Sequence, residues 1–519
     1  MIEIDINKVA KQILTFYDEY NLVVAGKIND SSAFNIIKII EENYPVDTIC
    51  FSDGTKIWNL LRVFIYANLQ KIFEKNIGEE TKRKKINQHN LKSLLLVLKE
   101  CVTPLNLRQK ITICGFSGME SRKFRNGKFY DIYMDPLYDI IEDDFTVFEW
   151  PALSGYRRKF CGNVYSKNYV PMHIPFSTEA FWNIIFYKIF NRKKISIKSE
   201  GKLIEIIEFI SKTAHVDKNK LKKSVYDFIV VFYYLKSFFY KILKDINPKA
   251  VLIRCGYGRF PMALSQACRK LDIPSIELQH GLITRYHPAY IKDVESENRD
   301  CVPEYLLTHG DIFTEIVKKS NLFDKKKVVT VGFPYLNIIQ KELEKQCKES
   351  KISLSNFKYN ILFTSQWILA SEIKEFVMSA SERLKKSPLD VGIILKPHPY
   401  DSTDYSCLKK FDNIVLVDKY EDTFKLFNEV DIHSTVYSIS GLEAMTFGKP
   451  NIFVDICGLT NGNDCPFIAS SPDDFFGIVQ YILSNHDEVS KKTTEISKMF
   501  FKSSSNENIK EFFSKLGIT

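Results

Sequence analysis

Three stretches deliver imidazole, ammonium and hydroxyl groups from the ends of apolar runs. In Ile394-Leu395-Lys396-Pro397-His398-Pro399 an apolar run ends in Lys396 and His398, and prolines stiffen the turn that follows. A cation beside an imidazole suits a phosphate or diphosphate. In the stretch from Asp431 to Ala444, Ser434, Thr435, Ser438 and Ser440 crowd the turn before a helix. Helix N-termini carry unpaired N–H groups and partial positive charge, so phosphate oxygens bind there; Ser438 and Ser440 are also ordinary capping residues. Glu443, one turn further, either accepts from ribose hydroxyls or complements the helix dipole. In Pro274-Ser275-Ile276-Glu277-Leu278-Gln279-His280-Gly281, His280 has the residue type of a general base near neutral pH. Arg285, Tyr286 and His287 follow closely and are candidates for binding a donor or acceptor. Each histidine taken singly is also compatible with a structural role.

Two further stretches carry a weaker signal. Phe51-Ser52-Asp53-Gly54 puts a carboxylate at a strand end, making Asp53 a candidate base, although Asp-Gly is also a common turn. Cys255-Gly256-Tyr257-Gly258-Arg259 opens a helix and has room to cradle an anion, but lacks a full dinucleotide-binding pattern. The P-loop, HExxH and GxSxG patterns are missing, and no Asp-x-Asp pair suggests a bound divalent metal. No metal and no cofactor are therefore expected. Charge on a leaving diphosphate must be met by protein groups.

These residues need strands to carry them. Short β-rich runs at Leu22–Ala25, Asp47–Phe51, Ile111–Gly115, Ala250–Arg254, Ser275–Leu278 and Tyr305–Thr308 alternate with amphipathic helices at Phe34–Asn43, Ile57–Phe73, Tyr226–Ile246 and Pro261–Leu271. Residues 120–175 have no clear period. The alternation restarts with Lys327–Val331, Ile361–Thr364, Val391–Leu395, Ile414–Val417, Val430–His433 and Asn451–Val454. Strands alternating with helices mean parallel sheets flanked by helices, so the fold class is α/β. The expected division is a first Rossmann-like domain over 1–335, a second over 336–500, and a closing helix in 501–519 that returns to the first. Two such domains would face a cleft, with ligands beyond the carboxyl ends of the strands.

Composition supports a globular chain. Of 519 residues, 45% are apolar and 26% charged, which excludes disorder and collagen. The net charge is +9. From Lys188 to Lys223 there are 11 basic and four acidic residues, a strip that suits an anionic surface or a solvated linker. Phe181, Trp182, Ile185, Phe186 and Ile189 form one apolar face closed by Lys188, Arg192, Lys193 and Lys194. Such a helix either packs in the core or lies on an anionic bilayer. The odd count of 11 cysteines without CxxC spacing argues against disulfides and zinc. Val225 to Leu243, the most apolar long run, is broken by Asp227, Lys236 and Lys241. A cytoplasmic protein is expected, either soluble or peripheral at the inner face of the cell membrane.

With these residues in view, the chain resembles GT-B glycosyltransferases, best over residues 250–460. Gln279-His280-Gly281 is similar to the His-Gly motif of bacterial capsule transferases and of CDP-glycerol glycerophosphotransferases. Lys396-Pro397-His398-Pro399 resembles the His-Pro motif of those enzymes and of bacterial sialyltransferases. Ser434-Thr435 with Ser438 is similar to their Ser/Thr motif. Gly441-Leu442-Glu443-Ala444 with Gly448-Lys449-Pro450 resembles the GT-B donor-site helix, and Gly332-Phe333-Pro334 the exit to the second domain.

The resemblance implies that His398 binds the donor phosphate, that Ser434, Thr435 and Ser438 assist, that Glu443 contacts ribose and that His280 is the base. Sialyltransferases use an acid instead, and Ser52-Asp53-Gly54 keeps only one acid of their motif. The implied activity is an inverting, metal-independent glycosyltransferase, of hexosyl or sialyl/Kdo type, acting in capsule or lipopolysaccharide synthesis. Its donor is a nucleotide-sugar, a CMP-linked acidic sugar first, with UDP-, GDP- or CDP-linked donors open. Its acceptor is a surface polysaccharide or lipid-linked glycan; nucleic acid is not an expected partner. A UDP-N-acetylglucosamine 2-epimerase-like enzyme and a non-catalytic nucleotide- or glycan-binding scaffold are the alternatives.

Overall fold

A computed structural model describes residues 4–24, 33–76, 111–118, 121–125, 127–141, 145–150, 164–166, 168–171, 195–346, 356–458 and 467–518. The chain begins with α1 (Ile6–Val24) and α2 (Ala33–Asn43), then β1 (Cys50–Phe51) and α3 (Trp58–Asn76). Next come β2 (Ile113–Ser117), β3 (Arg122–Arg125), β4 (Lys128–Asp131), α4 (Met134–Ile140), β5 (Phe145–Glu149), β6 (Tyr169–Pro171) and β7 (Ile197–Lys198). They are followed by α5 (Glu200–Thr213), α6 (Lys218–Ile246), β8 (Ala250–Ile253), α7 (Arg259–Lys270), β9 (Ser275–Leu278), β10 (Tyr305–Thr308), α8 (Asp311–Lys318) and β11 (Val328–Thr330). The later part holds α9 (Pro334–Gln346), β12 (Tyr359–Thr364), α10 (Ala370–Lys385), β13 (Val391–Lys396), β14 (Ile414–Leu416), α11 (Thr423–Asn428), β15 (Ile432–Thr435), α12 (Ile439–Thr446), β16 (Asn451–Val454) and β17 (Ile468–Ala469). Three helices close the chain: α13 (Pro472–Ser484), α14 (His486–Phe500) and α15 (Ser505–Lys515).

The chain divides into two compact units, each a doubly wound α/β layer structure. One comprises residues 22–308, 313–334 and 504–519. Its seven strands run in the order β11-β10-β9-β8-β2-β5-β6, and every neighbouring pair is parallel. The other comprises residues 1–21, 309–312 and 335–503. Its six parallel strands run β14-β13-β12-β15-β16-β17. Each order winds outward one way from the first strand, β2 or β12, and then reverses. That is the Rossmann-like topology, with a switch point between β2 and β8 in one unit and between β12 and β15 in the other. Strands such as Ala250–Ile253 and Val391–Lys396 are buried throughout, because helices cover both faces of a parallel sheet.

The helices bury periodic stripes. Along α6, Leu221, Val225, Phe228, Phe232, Leu235 and Phe239 recur every three or four residues and join the core on one side of the first sheet. Helix α15 returns Ile509, Phe512 and Phe513 to the opposite face of that sheet, against Met134, Phe145, Leu252 and Ile276. In the other unit Gly310 lets α14 approach: a Cβ there would lie 2.4 Å from the backbone of Phe500.

Several expectations are corrected. Leu22 to Val24, expected as a strand, form the last turn of α1, while Ala25 lies outside the described residues. Residues 1–21, expected with the first domain, belong to the unit of residues 335–503. The strand at Cys50–Phe51 is no part of a parallel sheet; it pairs antiparallel with β7. Residues 120–175, without a clear period, supply the β3–β4 hairpin and strands β5 and β6. The aromatic-basic segment Phe181–Lys194 lies outside the described residues. Among the described residues no helix is long and apolar enough to cross a membrane.

Candidate functional site

In the unit of residues 335–503, β13 ends at Lys396 and hands the chain to Pro397 and His398. Lys396 is buried, and its ammonium donates to the carbonyl of Lys419 at 3.2 Å. His398 is half-buried, and its Nδ1 accepts from the backbone N–H of Tyr400 at 3.1 Å. That bond fixes the neutral tautomer: the proton sits on Nε2, which can donate. Burial, together with the Lys396 charge, lowers the His398 pKa from its ordinary 6.5, so the ring is neutral at pH 7 without an anion.

The serine and threonine hydroxyls divide into two groups. Ser434 and Thr435 lie inside β15, two residues beyond the expected strand Val430–His433, and are fully buried. Ser434 donates to the Ile452 carbonyl at 2.9 Å and Thr435 to the Thr364 carbonyl at 3.0 Å. Their hydroxyl protons are spent on the sheet, so direct donation to a phosphate is not their role here. Ser438 and Ser440 do stand at the start of α12. Ser438 is the N-cap, accepting from the Ser440 N–H at 3.3 Å and the Ser440 hydroxyl at 2.8 Å. Ser440 continues to Thr364 at 3.0 Å, and Thr364 to His433 Nε2 at 3.1 Å. His433 Nδ1 faces the Asn451 side-chain oxygen at 2.5 Å, and burial lowers its pKa to about 4, so it is a neutral core histidine. This network ties β12 to β15 at the switch point, where Gln366 also accepts from the Tyr437 N–H at 3.1 Å.

Residues unforeseen in the sequence complete this edge. Helix α1 places Tyr17 so that its hydroxyl donates to the Ser438 carbonyl at 2.5 Å. Tyr20 stacks on Tyr437 with ring centroids 5.6 Å apart and donates to Asp455 at 2.8 Å. Glu443 is half-buried, and its charge, added to burial, raises the Tyr17 pKa well above its ordinary value. The apolar periodicity of residues 6–20 was the available signal, but nothing in it names the surface that it covers.

In the other unit His280 stands just beyond β9, half-buried. Its Nε2 lies 3.1 Å from the Tyr257 hydroxyl, and its carbonyl accepts from the Tyr133 hydroxyl at 2.7 Å. Tyr257 in turn packs on His287 and Tyr290, with centroids 5.1 and 5.9 Å away. The loop before α7 is no anion cradle. A Cβ on Gly256 would lie 2.1 Å from Glu277 Oε2, and the Gly256 N–H already serves the Glu277 carboxyl. Burial raises Glu277 to about 7, and Tyr290 donates to it at 2.7 Å. Burial lowers His287 to about 4, so it is a neutral packing group near pH 7. The His280 loop is anchored from below by Arg62, whose guanidinium bonds Glu41 at 2.7 Å and the carbonyls of Pro288 and Ile291.

Asp53 is placed elsewhere. Its Oδ2 lies 2.5 Å from both Lys236 and Lys270, and its Oδ1 caps the Thr55 N–H at 3.0 Å. These bonds outweigh burial and hold its carboxyl well below the ordinary 3.8. A carboxylate so held is a poor base, and the turn reading fits it better. Asp53→Asn removes the charge while keeping the side-chain shape. Its depressed pKa means that the stability it adds is present above pH 3.8 and lost as pH falls through the lower folded value. The variant should therefore unfold more easily than the parent at pH 7 and no more easily in strong acid, as read by urea titration at both pH values.

Among the described residues no group of three or more His, Cys, Asp or Glu side chains could hold a metal ion. The sequence matches the family model for CDP-glycerol:poly(glycerophosphate) glycerophosphotransferase over residues 276–455, which is less than half of the chain. Comparison with curated proteins gives no match. Among solved structures, UDP-GlcNAc 2-epimerase from Neisseria meningitidis bound to UDP-GlcNAc is 14% identical, with 78% of this chain and 99% of that chain covered and a TM-score of 0.48. The S. aureus MnaA–UDP structure is 12% identical, covering 79% and 98%, with a TM-score of 0.47. The wall teichoic acid polymerase TagF is 13% identical, covering 83% and 98%, with a TM-score of 0.45. The chain thus resembles the glycerophosphotransferases over the segment that carries both His280 and His398.

Proposed function

We propose that this protein is a transferase that moves a polyol phosphate from a CDP-linked donor to an acceptor hydroxyl. The observation that carries the reading is the family match over residues 276–455, which includes the His-Gly and His-Pro stretches together. It shifts the preferred donor from a CMP-linked sugar to a CDP-linked polyol. In the proposed step His280 takes the proton of the acceptor hydroxyl. The acceptor oxygen forms a bond to the distal phosphorus as the bond from that phosphorus to the CMP oxygen breaks. Charge on the departing CMP is met by His398 Nε2–H and the Lys396 ammonium. Glu443 accepts from the ribose, and Ser438 holds the start of α12 in place.

The reading has a pH signature. A bound phosphate favours the protonated ring, so donor binding should take up protons at pH values above the lowered pKa of the free His398 ring, and the uptake should fade as pH falls through that pKa. Binding should persist at pH 7.5, because the neutral ring still donates from Nε2. Calorimetry in buffers of different ionisation enthalpy checks this; proton release on binding would contradict it.

A thermal-shift panel of CDP-glycerol, CMP, UDP and GDP tests the donor class. A ligand at a hundred times its Kd stabilises by about 2.7 kcal/mol, a shift of several degrees. CDP-glycerol and CMP should stand apart. A larger shift with UDP or GDP would overturn the cytidine assignment.

A further inference from the structure

A cavity of about 540 Å³ opens at the edge of the seven-stranded sheet opposite to His280. The topology fixes this placement. Arg269 lies in the last turn of α7, before β9, Glu304 directly precedes β10, and Lys325, Lys326 and Lys327 directly precede β11. These three strands are parallel neighbours, so the cavity lies at their amino ends. His280 follows the carboxyl end of β9, roughly 13 Å away along a four-residue strand. The volume is within the range of ligand pockets.

The lining is cationic and partly fixed. Arg299 donates to the carbonyls of Ser296 and Asn298 at 2.6 and 3.3 Å, and Arg269 donates to the Val302 carbonyl at 3.4 Å. Backbone bonds thus hold both guanidiniums at one cavity, where burial and the charge of Arg269 work against the Arg299 charge while Asp324, Asp47 and Glu297 support it. The local carboxylates do not cancel the excess. Glu304 is paired with Lys327 at 2.5 Å, and Asp324 caps the Lys326 N–H at 2.9 Å. With Glu297 they make three acids against five bases. An anion with several oxygens would meet guanidiniums and ammoniums from the same cavity wall.

We propose that this cavity is a phosphate-binding site separate from the transfer chemistry, which holds successive phosphates of a phosphodiester chain. The identity of that chain as acceptor or product rests on the proposed function; phosphate binding itself does not. Calorimetric titration of the full chain with a poly(glycerol phosphate) oligomer and with pyrophosphate tests it, using the parent, Arg269→Gln/Arg299→Gln, Arg269→Lys/Arg299→Lys and His398→Ala. The oligomer should bind the parent at a site that weakens at least tenfold in the glutamine pair, partly recovers in the lysine pair and is unchanged in His398→Ala. Raised salt should weaken it further. Thermal melting of the glutamine pair confirms that it is folded. Pyrophosphate bound at this site without the oligomer would overturn the chain assignment in favour of a free-phosphate site. Equal affinity in parent and glutamine pair would overturn the site altogether. Failure of CMP release with the site intact would sink the transferase reading alone.

Discussion

His398→Ala should lower donor-dependent CMP release by about two to three orders of magnitude, the usual cost of removing one preorganised donor to a developing anion. The expectation comes from the ring's fixed tautomer. Because Nδ1 accepts from the Tyr400 N–H, Nε2 must carry the proton that meets the leaving phosphate. His398→Gln offers an amide N–H from a side chain of similar reach and should recover part of the loss. The ring also packs beside Tyr400, at 5.3 Å between centroids, and thermal melting of both variants checks that they are folded. Steady-state kinetics with both variants decides the matter. Equal turnover in the parent and the alanine variant would remove His398 from the chemistry.

Arg62→Ala should destabilise the unit that carries His280 by about 3–5 kcal/mol, because it strands a buried carboxylate. The Arg62 and Glu41 side chains are 1% and 2% exposed, so neither charge reaches solvent. Without Arg62 the Glu41 carboxylate keeps the Trp58 indole N–H at 2.8 Å and the attraction of the buried Lys292 ammonium but loses its direct ion pair, and the Pro288 and Ile291 carbonyls lose a donor. Replacing both partners with uncharged residues of similar size, Glu41→Gln with Arg62→Met, should restore much of the loss. Guanidinium denaturation measures both effects. A single variant less than 1 kcal/mol below the parent would show that the pair is not the anchor described.

The sheets were readable where apolar runs were short, continuous and bounded by turn residues. Ala250–Ile253 and Val391–Lys396 fall within one residue of where the sequence puts them, since strands buried on both faces need nearly continuous apolar side chains. Where polar residues enter a strand the pattern misleads. Ser434 and Thr435 read as turn hydroxyls, yet they extend β15 because each can satisfy its own hydroxyl on a neighbouring carbonyl. Asp53 read as a strand-end carboxylate because the pattern cannot tell a sheet strand from a two-residue pair. Its lysine partners come from positions 236 and 270, which no local spacing reveals. The same limit hid Tyr257, which meets His280 across 23 residues, and Tyr17, which meets Ser438 across 421.

Product analysis of full-length protein with CDP-glycerol and a glycerol-phosphate-primed acceptor bears most directly on the proposed activity. Cleavage between the two phosphates should release CMP and lengthen the acceptor by one glycerol phosphate per CMP formed. Release of CDP, or a donor that turns over with no change in the acceptor, would contradict it.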